Sequence, residues 1–209
     1  MTVLRTLLVW MLVFRVFTTV DALDHWVAAR VQEGRQPWLE PIMRAATGVG
    51  RPPIVAGTLI VAAVGGPTAV AARTVLVALI PTKLVVEGLK RLTQRARPDG
   101  RTQRKNASFP SSHAANAFAI ACALTHYRHR WRLPLLAAAA LVAWSRVYLN
   151  RHYVSDIVVG AGIGAAFGIW AARWAAGSGR VWIHRGLLGR TATAAGPAGR
   201  PADDAPGGV

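Results

Sequence analysis

Apolar residues in this chain fall into long runs separated by short polar or Gly/Pro-bearing breaks, without sustained period-two alternation. Six runs, near residues 3–20, 54–72, 74–92, 111–127, 133–149 and 156–176, can be delimited. They reach or approach the roughly 20 residues a helix needs to cross about 30 Å of hydrocarbon. Turn signals punctuate them: Gly48 to Pro53, Gly65-Gly66-Pro67 near the end of the second run, Pro98-Asp99-Gly100, and Pro134 at the start of the fifth. The pattern predicts an all-α fold, an integral membrane bundle of six transmembrane helices, and argues against a membrane barrel. Gly160, Ala161, Gly162, Gly164, Ala165, Ala166 and Gly168 in the sixth run would let neighbouring helices approach closely.

Residues 21–52 break the pattern by mixing charges with Trp26, Val27, Val31, Trp38, Leu39, Ile42 and Met43. Such a stretch predicts one or two amphipathic helices lying at the bilayer interface between the first and second spans. The six-span domain is expected over 1–176. From about Gly177 to Val209 the chain turns to Gly, Ala, Pro and Arg, which predicts a disordered tail. The first run starts almost at Met1 and follows Arg5, as a signal peptide would. Val20-Asp21-Ala22 is a poor cleavage site, so the run reads as an uncleaved helix.

Composition agrees: 53% of the 209 residues are hydrophobic and 16% charged, and mean hydropathy is +0.31, outside the range of an ordinary soluble domain. The formal charge of +16 does not imply nucleic acid, because the basic residues are interleaved with the spans. Anionic membrane lipids are the partners this arrangement suits. Cys122 is the single cysteine, so no intrachain disulfide is possible. With a cytoplasmic amino terminus, ten Lys/Arg fall on the inner side and thirteen on the outer. Setting aside Lys90, Arg97 and Arg146 as pocket cations leaves ten against ten, and the positive-inside rule gives no orientation.

Candidate chemistry gathers in three segments: Lys90-x6-Arg97-Pro98, Pro110-Ser111-Ser112-His113, and Ser145-Arg146-x5-His152-x3-Asp156. Singly, each fits a bland role: basic residues at a helix end, a serine-capped helix start, and a structural His–Asp hydrogen bond. The six-span plan puts all three at one bilayer face, since Lys90 closes the third span, Ser111 opens the fourth, Arg146 closes the fifth and Asp156 opens the sixth. Three fixed cations, free backbone N–H groups, two histidines and a carboxylate are an inventory for phosphoryl transfer. The carboxylates are too few and too scattered for a two-metal site, so no metal or cofactor is expected.

The order and spacing of these motifs resemble those of the type 2 phosphatidic acid phosphatase superfamily, whose membrane members are lipid phosphate phosphatases. The resemblance implies His152 as nucleophile forming a phosphohistidine, Asp156 orienting its imidazole, and His113 protonating the leaving oxygen and then activating water. Lys90, Arg97, Ser111, Ser112 and Arg146 would hold the phosphate. Ser112 stands where the family often has Gly, and Asn150 and Val154 where many bacterial relatives carry Gly and Pro.

A lipid phosphate substrate follows from a pocket at helix ends in a membrane. Resemblance to compact bacterial members implies polyprenyl diphosphate, with phosphatidylglycerol phosphate and phosphatidic acid as competitors, and a plasma-membrane location with the site on the extracytoplasmic face. The basic run Arg91, Arg95, Arg101, Arg104 and Lys105 would suit a headgroup with more than one phosphate, or simply a lipid-facing patch. A non-catalytic lipid-phosphate binding or transport protein is the alternative of another class. Finally, Lys83, Glu87 and Lys90 share a helical face, which predicts a Lys83–Glu87 pair with Glu87 aiming Lys90.

Overall fold

The computed structural model describes residues 2–50, 57, 67–100, 107–127 and 129–191. Among these every regular element is helical: α1 (Thr2–Glu33), α2 (Glu40–Ala46), α3 (Pro67–Thr93), α4 (Ser112–Thr125), α5 (Arg132–Tyr148) and α6 (Val154–Thr191). Short 3-10 turns cover Pro37–Leu39, Thr47–Gly50 and His129–Trp131. The all-α expectation holds for the described residues.

The boundaries differ in instructive places. Helix α1 does not stop near residue 20 but continues to Glu33, because no Gly or Pro interrupts the chain before Gly34. The interfacial stretch therefore begins as an extension of the first helix, and only Pro37–Gly50 forms separate short turns. That segment is not laid wholly on the outside: Met43 and Thr47 are buried, and the turn at Thr47–Gly50 packs against α4 and α5. Helix α3 starts at Pro67, earlier than expected, since proline suits a first helical turn and nothing at residue 73 breaks the helix. Most of the expected second span, residues 54–56 and 58–66, lies outside the described residues.

Helix α4 packs between α3 and α5. One core cluster joins Val75, Ala78 and Leu79 of α3 to Ala119 and Ala123 of α4 and Ala171 of α6. Another sets Ala117 and Ala121 of α4 against Ala139 and Val142 of α5. The contacts are mostly alanine, which permits the close backbone approach expected where the hydrophobic effect cannot drive helices together. On α6 the glycines at 160, 164 and 168 face α4. A Cβ on Gly164 would come within 2.0 Å of the Ala115 carbonyl oxygen, and one on Gly160 within 2.6 Å of that of Ser111. Gly162, half a turn away, faces open space.

Among the described residues Val154–Gly177 is the one helix of at least 18 residues long and apolar enough to cross a membrane by composition, with a mean hydropathy of 1.6. Helices α4 and α5 have 14 and 17 residues, and α3 carries Arg73, Lys83, Glu87, Lys90 and Arg91. The chain divides into a compact unit through Arg173 and a second from Trp174 to Val209. Within the second, the chain is helical as far as Thr191, beyond the expected end of the last span at 176.

Candidate active site

Four helix ends meet at the site. The last turn of α3 brings Lys90, the first turn of α4 brings Ser112 and His113, the last turn of α5 brings Ser145 and Arg146, and the first turn of α6 brings Asp156. The Ser111 N–H donates to the Asp156 carbonyl at 3.0 Å, which locks the start of α4 to the start of α6. Arg151 pairs with Asp99 at 2.9 Å and joins the loop after α5 to the loop after α3.

The loop that presents His152 is set by the end of α5. Asn150 has φ +55°, the left-handed conformation that closes a helix and that Asn tolerates better than most residues other than Gly. This gives a reason for Asn at the position where the family resemblance leads one to expect Gly. The N–H groups of Arg151 and His152 both donate to the Arg146 carbonyl, at 2.9 and 3.2 Å, so one backbone oxygen fixes the histidine relative to a pocket cation.

His152 is 2% exposed, and its Nδ1 lies 2.8 Å from the Ser108 carbonyl oxygen. A carbonyl only accepts, so Nδ1 carries the proton and Nε2 is left with the ring's lone pair. Burial holds the imidazole at a pKa of about 4, below its ordinary 6.5. The charges of Arg146 and Arg97 act in the same direction and Asp156 opposes them. The ring is therefore neutral at physiological pH.

The direct His152–Asp156 hydrogen bond expected from the i, i+4 spacing is absent: the nearest Asp156 oxygen stands 3.6 Å from Nδ1. The carboxylate is engaged elsewhere. Its Oδ2 accepts from the Ser108 hydroxyl at 2.5 Å and the Tyr153 N–H at 2.8 Å, and its Oδ1 accepts from Arg95 at 2.9 Å. Ser108, which carries no motif signature, bridges the two residues through its hydroxyl and its carbonyl.

Lys90, Arg97 and Arg146 converge here. Lys90 and Arg146 are buried, Arg97 is half-buried, and Lys90 lies within electrostatic reach of both arginines and of Asp156. Arg146 donates to the Thr47 hydroxyl at 2.7 Å, a contact supplied by the 3-10 turn at Thr47–Gly50 and not foreseen from the motifs. Ser111 is fully buried at the N-cap of α4, and its hydroxyl has no hydrogen-bond partner among the described residues. A buried hydroxyl left so costs about 1–3 kcal/mol, which a ligand oxygen would recover. Ser112 and His113 occupy the next two positions, both half-buried. No group of three or more His, Cys, Asp or Glu side chains suited to a metal is present among the described residues.

Two expectations outside the motifs change. Lys83 is exposed and makes no ion pair with Glu87 among the described residues, whereas Glu87 lies within electrostatic reach of Lys90. Arg95, expected in a basic headgroup patch, instead faces carboxylates: Asp156, Asp24 at 2.8 Å and Asp21 at 3.1 Å. Arg101, Arg104 and Lys105 of the same run lie outside the described residues.

A family model described as the PAP2 superfamily matches residues 71–180. Phosphatidylglycerophosphatase B of Bacillus subtilis is 27% identical to this chain over 163 residues, covering 69% of this chain and 79% of the relative. Decaprenylphosphoryl-5-phosphoribose phosphatase of Mycobacterium tuberculosis is 37% identical over 87 residues, 38% of this chain and 48% of that protein. Among solved structures, that of Aquifex aeolicus LpxE superimposes with a TM-score of 0.64 at 24% identity, over 72% of this chain and 95% of that one. The helical arrangement is thus shared with LpxE as a fold.

Proposed function

This chain belongs to the PAP2 superfamily, and from that premise we propose that it is a membrane lipid phosphate phosphatase working through a phosphohistidine. The observation that carries the proposal is the state of His152: buried, neutral, held at Nδ1 by the Ser108 carbonyl, and within the field of Arg97 and Arg146. A neutral imidazole with Nε2 unprotonated is a nucleophile for phosphorus.

In this mechanism Lys90, Arg97, Arg146, the Ser111 hydroxyl and the N–H groups of Ser112 and His113 bind the phosphoryl oxygens. Nε2 of His152 attacks phosphorus as the bond to the lipid oxygen breaks, and His113 gives that oxygen a proton. His113 then takes a proton from water, which attacks the phosphohistidine and releases inorganic phosphate, restoring both histidines. Asp156 sits behind the ring and stabilises the cation formed on phosphorylation. No step in this scheme draws on a metal. His152→Ala is expected to abolish phosphate release in detergent while retaining the wild-type unfolding transition; undiminished turnover would refute the nucleophile assignment.

The same premise supports a six-span bundle in the plasma membrane with the site on the extracytoplasmic face. For the substrate, the placement of Arg95 among carboxylates removes one cation from the run that suited a diphosphate headgroup. Three converging cations and the Ser111 hydroxyl, without a partner among the described residues, suit a single phosphoryl group. Lipids bearing a terminal phosphomonoester, phosphatidylglycerol phosphate foremost, are therefore favoured over polyprenyl diphosphate. Phosphate release measured in parallel on phosphatidylglycerol phosphate, phosphatidic acid and polyprenyl diphosphate tests this. A clear preference for polyprenyl diphosphate would restore the expectation drawn from sequence. Metal-free turnover inhibited by vanadate separates an enzyme from a lipid-phosphate carrier.

A further inference from the structure

The cation–carboxylate cluster behind Asp156 is not used by the mechanism above. Its geometry points to Arg95 as a positioning residue, anchored by Asp24 on α1 and acting on His152 through Asp156 and Ser108; the inference rests on the proposed hydrolysis and deepens it.

Arg95 uses its guanidinium as a fork. Nη1 donates to Asp156 Oδ1 at 2.9 Å and to the Ser155 hydroxyl at 2.7 Å, while Nη2 donates to Asp24 Oδ2 at 2.8 Å and to Asp21 Oδ1 at 3.1 Å. The guanidinium carbon lies over the Tyr153 ring, 4.3 Å from its centroid. Asp24 is 2% exposed and Asp156 fully buried, so two buried carboxylates share one half-buried guanidinium. Removing the cation would leave both without their charge partner, which is strongly unfavourable. A lysine ammonium is a point charge and lacks the planar fork that spans both.

Arg95 also reaches the nucleophile through the main chain. Its carbonyl accepts the Ser108 N–H at 2.8 Å. Ser108 then gives its hydroxyl to Asp156 and its carbonyl to His152 Nδ1. Both ends of Arg95 thus hold the residue that fixes the imidazole tautomer. Asp24 completes the arrangement from α1. Its Oδ1 accepts the Ser155 N–H at 2.9 Å, one of the donors left unpaired at the start of α6, and its Oδ2 accepts the Ser155 hydroxyl. The extension of α1 past residue 20 is therefore what puts a carboxylate behind the catalytic loop.

The test uses the full chain in detergent, with Arg95→Gln, Arg95→Lys, Asp24→Asn and the Arg95→Gln/Asp24→Asn double variant. Glu33→Gln, the same charge change at an exposed surface pair of α1, is the control. Turnover of a lipid phosphate, unfolding temperature, and binding of orthovanadate and inorganic phosphate are measured. For positioning, kcat in Arg95→Gln falls about 10- to 100-fold, the range typical of lost supporting contacts at metal sites, with KM unchanged. Vanadate, which mimics the five-coordinate state that His152 must bond, loses affinity in step, and inorganic phosphate does not. Arg95→Lys recovers only part of kcat, and the double variant is no worse than Arg95→Gln. Wild-type kcat in Arg95→Gln would overturn the inference. So would a loss matched by the folded fraction, with Lys equal to Gln. Should Arg95→Gln not fold, Asp24→Asn and Arg95→Lys give the same kcat-against-KM readout. A wild-type protein that releases phosphate from no lipid refutes the proposed function instead, and the vanadate arm still judges Arg95.

Discussion

His152 is a neutral base held inside the protein, and that state has a thermodynamic signature. Its pKa is about 4 in the fold against 6.5 when unfolded. Between those values the unfolded chain takes up a proton that the folded chain refuses. Stability from this residue is therefore complete above pH 6.5 and is lost as pH falls through about 4, a total on the order of 3 kcal/mol. His152→Gln removes the titration. The difference in unfolding temperature between pH 7.5 and 4.5 is expected to be smaller in the variant than in the wild type; an equal difference would show that the ring is not buried neutral. The three motifs were legible because their spacing is local: Ser145, Arg146, His152 and Asp156 all fall within 12 residues. The partner that holds the ring was not. Ser108 lies 44 residues from His152, in a segment read only as the approach to a capped helix. The i, i+4 spacing pointed to Asp156, which satisfies its lone pairs on Ser108, Tyr153 and Arg95. Asn150 shows the converse: its departure from glycine was visible in sequence, and its positive φ gives the reason.

Helices α4 and α6 meet through three glycines one turn apart, and their register carries the site. Ser111 and Asp156 begin the two helices and share a backbone hydrogen bond, so any separation of the pair moves the N-cap hydroxyl away from His152. A Cβ at Gly164 would lie 2.0 Å from the Ala115 oxygen and 2.9 Å from the Ala119 nitrogen, both rigid backbone atoms. Gly164→Ala is expected to cost about 1–3 kcal/mol through overpacking and to lower turnover. Gly162→Ala, with nothing within 4 Å of the added carbon, should leave both unchanged. Thermal unfolding and phosphate release of the two variants decide the matter, and equal stability would mean the helices do not touch where the glycines lie. The small-residue stripe was legible in composition. Its working face follows from helical phase, since 160, 164 and 168 recur every four residues and 162 falls on the other side. Helix ends were less legible. Apolarity stops near residue 20, but hydrogen bonding continues wherever no Gly or Pro intervenes, so α1 ran on to Glu33.

At the scale of the whole molecule, charge is distributed so that the two ends of the bundle differ more than their Lys/Arg counts suggest. With the three pocket cations set aside, the count is ten against ten. At the site end, Arg30, Arg35, Arg44, Arg95 and Arg151 are each paired with a carboxylate. In the proposed six-span arrangement the other end carries Arg73, Arg130, Arg132 and Arg173, and the sequence holds no Asp or Glu between Asp99 and Asp156 or between Asp156 and Asp203. Seven of the nine acids thus lie on the site side against thirteen Lys/Arg, while on the other side ten Lys/Arg meet only Asp203 and Asp204, so the side away from the site is the more positive of the two. The cytoplasmic leaflet supplies a matching negative surface, at about 1 kcal/mol for each basic residue near it. This favours the proposed orientation, with the site facing out. Ala96, exposed in the loop between Lys90 and Arg97, offers a reporter. With Cys122 replaced by alanine and Ala96→Cys as the single thiol, a membrane-impermeant maleimide is expected to label intact cells as fully as lysed ones. A cysteine in place of Arg130, at the opposite end, should react only after lysis. The reverse pattern would turn the protein over, and a phosphatase oriented that way could act only on lipids of the inner leaflet.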